Sequence, residues 1–219
     1  MKKDYSEVME TLKSLMPSLL QVAVYTTYEE RCVVILEKDP PNILESLDAL
    51  REYCHKRHLP FPLLISRDFV LSSLDSFPLE FLDIVSSNYT NLFDQEDILQ
   101  NLKFSSADLR LQMEREIKSK WLLTRLAVSE QSQKPRALAN VLVQSIRSLL
   151  PVLKGLCYIS LKPIPFTQNE IIDSVMEITQ LDLSFLLHWM SLDKADIFII
   201  KNYLDLLSRF SEILEQMDK

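Results

Sequence analysis

"VAVYTTYEERCVVILEK", residues 22–38, holds two apolar runs, Val22–Thr26 and Cys32–Leu36, joined by a charged turn that contains no glycine. Both runs are short and rich in β-branched side chains, so the stretch predicts two strands rather than a helix. Working outward, residues 4–16 place Val8, Leu12 and Leu15 at helical spacing. "PPNILESLDALREYCHKRHLP" predicts a helix, with Asn42 at the N-cap, Glu45 three residues on, Ile43, Leu47 and Leu50 in period, and Pro60 as the stop. "FPLLIS" predicts a third strand leading into a turn of helix capped by Ser66. "FPLEFLDI", 77–84, alternates, and predicts a fourth strand with Phe77, Leu79 and Phe81 on one face and Glu80, Leu82 and Ile84 on the other. Strands interleaved with helices indicate a small α/β layer.

From residue 94 the chain is expected to be helical, and its helix starts share one grammar: apolar, cap, acid three later, apolar next. It occurs at Phe93-Asp94…Asp97-Ile98, Phe104-Ser105…Asp108-Leu109, Phe166-Thr167…Glu170-Ile171 and Leu192-Asp193…Asp196-Ile197. Only Thr167 with Glu170 has the full side-chain chemistry of a capping box. "SEQSQKPRA", 129–137, and "SLKPIPFT", 160–167, read as linkers. Helix 105–128 carries two apolar stripes on a helical projection. Leu109, Met113, Ile117 and Trp121 form one, and Leu111, Leu122 and Leu126 the other. Arg110, Glu114, Lys118 and Arg125 run between them, and Glu116–Lys120 is an i,i+4 pair of favourable order. Two stripes predict neighbours on both sides, with this helix bridging the α/β layer and the C-terminal helices. The fold class expected is therefore α+β: a small mixed β-sheet with flanking helices over residues 1–104, followed by an all-α helical domain over 105–219.

Composition narrows the chemistry. The chain has one glycine, Gly155, in 219 residues, where average usage of about 7% would give roughly fifteen. Phosphate-cradling loops need several glycines for close approach of backbone N–H groups, so Walker-type and dinucleotide-type loops are excluded. Cys32, Cys54 and Cys157 are odd in number and far apart, as suits reduced, buried thiols. Residues 110–162 hold 10 basic against 3 acidic side chains, and residues 163–219 hold 4 against 10. A basic middle can meet an anionic ligand, or pair with the acidic ends. No apolar stretch is expected to reach the roughly 18 residues of a membrane span, and Asp4 and Glu7 interrupt the start, so a cytoplasmic chain without membrane association is expected.

"SLDSFPLEFLDIVSSNYTNLFDQEDIL" followed by "LRLQMEREIKSKWLLTRLA" resembles uncharacterised microbial proteins of the nucleotidyltransferase-like superfamily, in which an intact or degenerate nucleotidyltransferase domain precedes a helical one. The resemblance implies a chemistry to look for: two carboxylates two apart on one strand, a third on a neighbouring strand, and a Gly-Ser turn to seat the phosphates around metal ions. The Gly-Ser place falls at about Thr26 and Thr27, and the carboxylate pair at about Cys32 and Val34. Glu29 and Glu30 are adjacent and face opposite ways on a strand, so they do not replace that pair. Glu80 or Asp83 stands for the third acid. Arg110 needs a fixed acceptor, with Glu114, Glu80 and Asp83 in reach of the reading, and would meet an anionic ligand if one binds. No catalytic residue, metal ligand or cofactor is expected. The reading is a catalytically inactive nucleotidyltransferase-like binding or interaction module. Its alternatives are an active nucleotidyltransferase with relocated carboxylates, and an antitoxin-like or adaptor subunit without ligand. The partners it leaves open are a nucleotide or other anion, a protein, or a second copy through the helical domain. Arg51 with His58 reads as a chance spacing, Cys54 with His58 as two ligands that lack the third a structural zinc site needs, and His188 as a core or interface residue.

Overall fold

The computed structural model describes residues 6–27, 29–131 and 134–217. It is α+β, a four-stranded mixed sheet with flanking helices and a helical C-terminal part. Two compact units arise, one from Met1–Asp75 with Asp83–Lys103, the other from Ser76–Leu82 with Phe104–Lys219.

The sheet unit begins with α1 (Ser6–Leu15), then β1 (Leu19–Thr26) and β2 (Glu30–Leu36). The two strands pair antiparallel, from Leu19↔Leu36 to Thr26↔Glu30. Next come α2 (Ile43–Arg57), β3 (Leu63–Ser66) and α3 (Arg67–Ser72). β3 lies parallel to β2, with Val33↔Leu63 the first pair, and α2 supplies the crossover that a parallel pair requires. Alternation sends Cys32, Val34 and Leu36 to one face, where they pack with Val8, Leu12, Leu50 and Cys54 of α1 and α2. Ser66 caps α3 as expected, its Oγ accepting from the Phe69 amide. Asn42 stands at the N-cap of α2 without a side-chain cap bond, and the helix ends at His58 in the left-handed conformation, φ 53°.

Two expectations fail here. "FPLEFLDI" is a helix, α4 (Pro78–Ser86), so Glu80 and Asp83 stand one turn apart on a helix and not on a strand. Proline at its first position suits a helix N-terminus, and Leu79, Phe81, Leu82 and Ile84 are all buried. A helix buried on several sides hides its 3.6 period. The fourth strand is instead β4 (Thr90–Asp94), pairing antiparallel with β1 and giving the order β3-β2-β1-β4. Asp94 thus ends a strand rather than starting a helix, and only a 3₁₀ turn, η1 (Leu99–Asn101), follows.

A buried polar knot fixes β4 and this turn to β1. Gln21 is fully buried, its Nε2 donating to Asn91 Oδ1 (2.9 Å) and Asp97 Oδ1 (2.7 Å). Its Oε1 accepts from the Ile98 and Leu99 amides at 3.0 and 3.3 Å. Tyr89 Oη and the Gln100 amide also donate to Asp97, at 2.9 and 3.0 Å. Burial pushes the Asp97 carboxyl up, but these donors together outweigh it and hold the group below the ordinary carboxylate range. A depressed folded pKa means stabilisation that is complete above the unfolded value, about 3.9, and lost as pH falls through the folded one. The urea midpoint of the parent should therefore drop more steeply below about pH 4 than that of Asp97→Asn. Equal slopes would remove Asp97 from the acid response.

The helical unit comprises α5 (Ser106–Gln131), α6 (Pro135–Arg147), α7 (Leu150–Ile159), α8 (Gln168–Thr179), α9 (Phe185–Trp189) and α10 (Ile197–Gln216). Ser105 Oγ accepts from the Asp108 amide at the start of α5, and Thr167 and Glu170 form the expected capping box at α8. At α10 the cap is Asp196, three residues later than the shared grammar places it. α5 runs on to Gln131, so the first linker is shorter than its polar sequence suggests. Leu109, Met113 and Ile117 lie in the core and Trp121 packs at its margin, while Leu111, Leu122 and Leu126 are exposed. Burial on two sides thus holds for one stripe only. Pro135–Ile159, covering α6 and α7, contains an 18-residue stretch of mean hydropathy 1.2, and more than half of that stretch is buried inside the protein. Its Leu138, Leu142, Ile146, Leu149, Leu153 and Leu156 are in the unit's core. Cys32, Cys54 and Cys157 are free and buried. His188 is exposed, not core.

Candidate ligand site

Near the turn end of the β1–β2 pair lies a cavity of about 660 Å³, bounded by Tyr25, Glu29, Arg31, Cys32, Asp39, Ile43, Leu47 and the segment Pro60–Leu64. Its origin is local. β3 joins β2 only from Leu63, and the preceding "PFP" places two residues without N–H donors, Pro60 and Pro62, where further pairing would set them opposite Glu30 and Cys32. The segment leaves the sheet, and a gap opens beside the strand. Lining residues come from both faces of the sheet, since Cys32 and Arg31 are consecutive on β2 and Leu63 and Leu64 on β3.

The charge of this wall is two carboxylates, Glu29 and Asp39, against one guanidinium, Arg31. Arg31 Nη2 is held by Glu29 Oε1 at 3.0 Å. Burial pushes the Tyr25 phenol up, Arg31 beside it pulls the other way, and the Asp83 carboxylate adds to the rise. Cys32, buried, with Cys54 and Glu30 near, has its thiol pushed up to about 12, so it stays protonated and is no nucleophile near neutral pH. The rest of the wall is apolar or aromatic.

The residues named from sequence divide between the two units. Thr26 ends β1 opposite Glu30, exposed. Thr27 follows in the turn, its amide donating to Glu29 O (3.2 Å) and its buried Oγ1 making no hydrogen bond among the described residues. Asp83 belongs to the sheet unit, where its backbone oxygen accepts from Ser87 Oγ at 2.6 Å. Glu80 and Arg110 belong to the helical unit. There Gln112 ties α5 to α4, its Oε1 accepting from the Leu79 amide (2.8 Å) and its Nε2 donating to Glu80 Oε2 (2.7 Å). Arg110 pairs with Glu114 at 3.6 Å, and Glu114 also holds Lys118. Within neither unit do Thr26, Thr27, Glu80, Asp83 and Arg110 form one constellation. Cys32 and Val34, where the resemblance would put paired carboxylates, are buried against α1 and α2. Among the described residues no three His, Cys, Asp or Glu side chains gather as a metal set would. The cavity itself escapes sequence reading, although its cause, a proline on each side of Phe61, is printed there.

No protein family, curated protein or solved structure matches this chain.

Proposed function

We infer that the chain is a catalytically inactive nucleotidyltransferase-like module that acts by binding, through the cavity beside Arg31 and Pro60–Leu64. The observation that carries this reading is the pair Cys32 and Val34. A protonated thiol and an isopropyl group, turned into the core, stand where the resemblance requires two metal-holding carboxylates. A wall with two carboxylates and one already paired guanidinium disfavours a triphosphate. Tyr25, Phe61, Pro60 and Pro62 offer apolar contact instead, of the kind small-molecule and peptide sites use. Calorimetric titration with magnesium or manganese and nucleoside triphosphates should give neither metal-dependent binding heat nor pyrophosphate. Transfer activity abolished by Glu29→Gln or Asp39→Asn would overturn the reading in favour of relocated carboxylates, since these two acids share the cavity.

A further inference from the structure

We propose that the cavity beside β2 binds a small organic cation, an amine or guanidinium carried on an apolar body; the proposal rests on the reading of this cavity as the binding site. At about 660 Å³ it has the size of a small-molecule pocket. Its charge balance names the ligand. The Tyr25 phenol and the Cys32 thiol are both pushed up and stay neutral near neutral pH, so the charges on the wall are those of Glu29, Arg31 and Asp39. Glu29 and Arg31 answer each other at 3.0 Å. Asp39 makes no hydrogen bond or ion pair among the described residues, and Lys38 beside it in sequence is not part of the wall. One carboxylate of the wall is left without a counter-charge.

The backbone that carries this carboxylate is stiff. Asp39 precedes Pro40 and Pro41, which fix their own φ and restrict the residue before them, and the Ile43 amide closes the turn on Pro40 O at 3.1 Å. On the β3 side of the cavity Pro60 and Pro62 flank Phe61, which is 49% exposed and so offers its ring. A site set before its ligand arrives loses less on binding. An anion would meet Glu29 and Asp39 with the one guanidinium already engaged, and a neutral apolar molecule would strip water from Asp39 and return no partner. A cation gives Asp39 its counter-charge and can lie against the Phe61 ring, while its apolar body covers Ile43, Leu47 and Leu64.

Phenethylamine, phenethyl alcohol and hydrocinnamate present the same ring with a positive, a neutral or a negative end. In calorimetric and amide-NMR titrations of the full chain, the amine should bind tenfold or more tightly than either of the others and shift the Arg31, Cys32 and Leu63 amide signals. Its advantage should shrink as salt is raised. Asp39→Asn should bring the amine down to the affinity of the alcohol and leave the urea midpoint that of the parent, since Asp39 is exposed. An alcohol or acid that binds as tightly as the amine, or a preference for the amine that survives in Asp39→Asn, would overturn the cationic ligand and leave the cavity as the binding site. If none of the three compounds shifts those signals, the reading of the cavity as a binding site falls with the proposal.

Discussion

Gln21→Ala should lower stability of the sheet unit by about 3 kcal/mol, among the largest effects of any polar substitution in the chain. Gln21 is fully buried and uses both ends of its amide, donating to Asn91 and Asp97 and accepting from the Ile98 and Leu99 amides. Truncation leaves the Leu99 N–H without its acceptor at a fully buried residue, while the Ile98 N–H keeps the Glu96 carbonyl at 3.1 Å. An orphaned buried group costs about 1–3 kcal/mol, and the space left by the side chain adds to it. Gln21→Met separates the two contributions, since it keeps the volume and removes the polar atoms. It should lose most of what alanine loses. Urea denaturation, with hydrogen exchange at β1 and β4 to locate the loss, reads the result; a near-native methionine variant would make packing, and not the polar knot, the source.

How much of this was legible follows the local physics of each element. The β1–β2 hairpin reads correctly because each strand is a short apolar run rich in β-branched side chains, with Cys32–Leu36 of β2 buried on both faces. The Thr167–Glu170 cap reads correctly because its bonds are local, made within four residues. "FPLEFLDI" misleads because Leu79, Phe81, Leu82 and Ile84 are all buried, and periodicity cannot tell such a helix from a strand. β4 was hidden by the opposite fault, five residues of which Thr90, Leu92 and Asp94 are exposed, held by pairing to β1 and by Gln21, some 70 residues away. Of the candidate site, strand parity shows that Cys32 and Val34 share one face, while their reading as the place of a carboxylate pair comes from the resemblance alone. The cavity was not legible, because it exists only where Pro60 and Pro62 part from β2, a tertiary register that no local window contains. Nor could the projection of α5 show which of its two stripes is covered, since Leu109 and Leu122 are equally apolar and differ only in neighbours.

Gly155→Val should cost the helical unit about 3 kcal/mol, and the reason returns to the chain's single glycine. Gly155 makes no turn and has no left-handed backbone; it lies inside α7, where glycine is about 1 kcal/mol worse than alanine. Its place is explained by packing. A Cβ built there would meet Met113 Sδ at 2.7 Å and Leu79 Cδ2 at 2.8 Å. Both neighbours are side-chain ends, yet Met113 is fully buried and Leu79 only 2% exposed, so neither has open space to swing into. Alanine should come out near neutral to mildly destabilising, because its propensity gain opposes an overpacking cost of about 1–3 kcal/mol. Valine adds two methyl groups in the same crevice and a stiffer χ1, and the balance tips clearly against it. The contact with Met113 makes the account checkable by a double-mutant cycle. In a Met113→Ala background, where the sulfur is gone, Gly155→Val should cost markedly less than in the parent. Additive losses would mean that the crevice is not what excludes a side chain at this position.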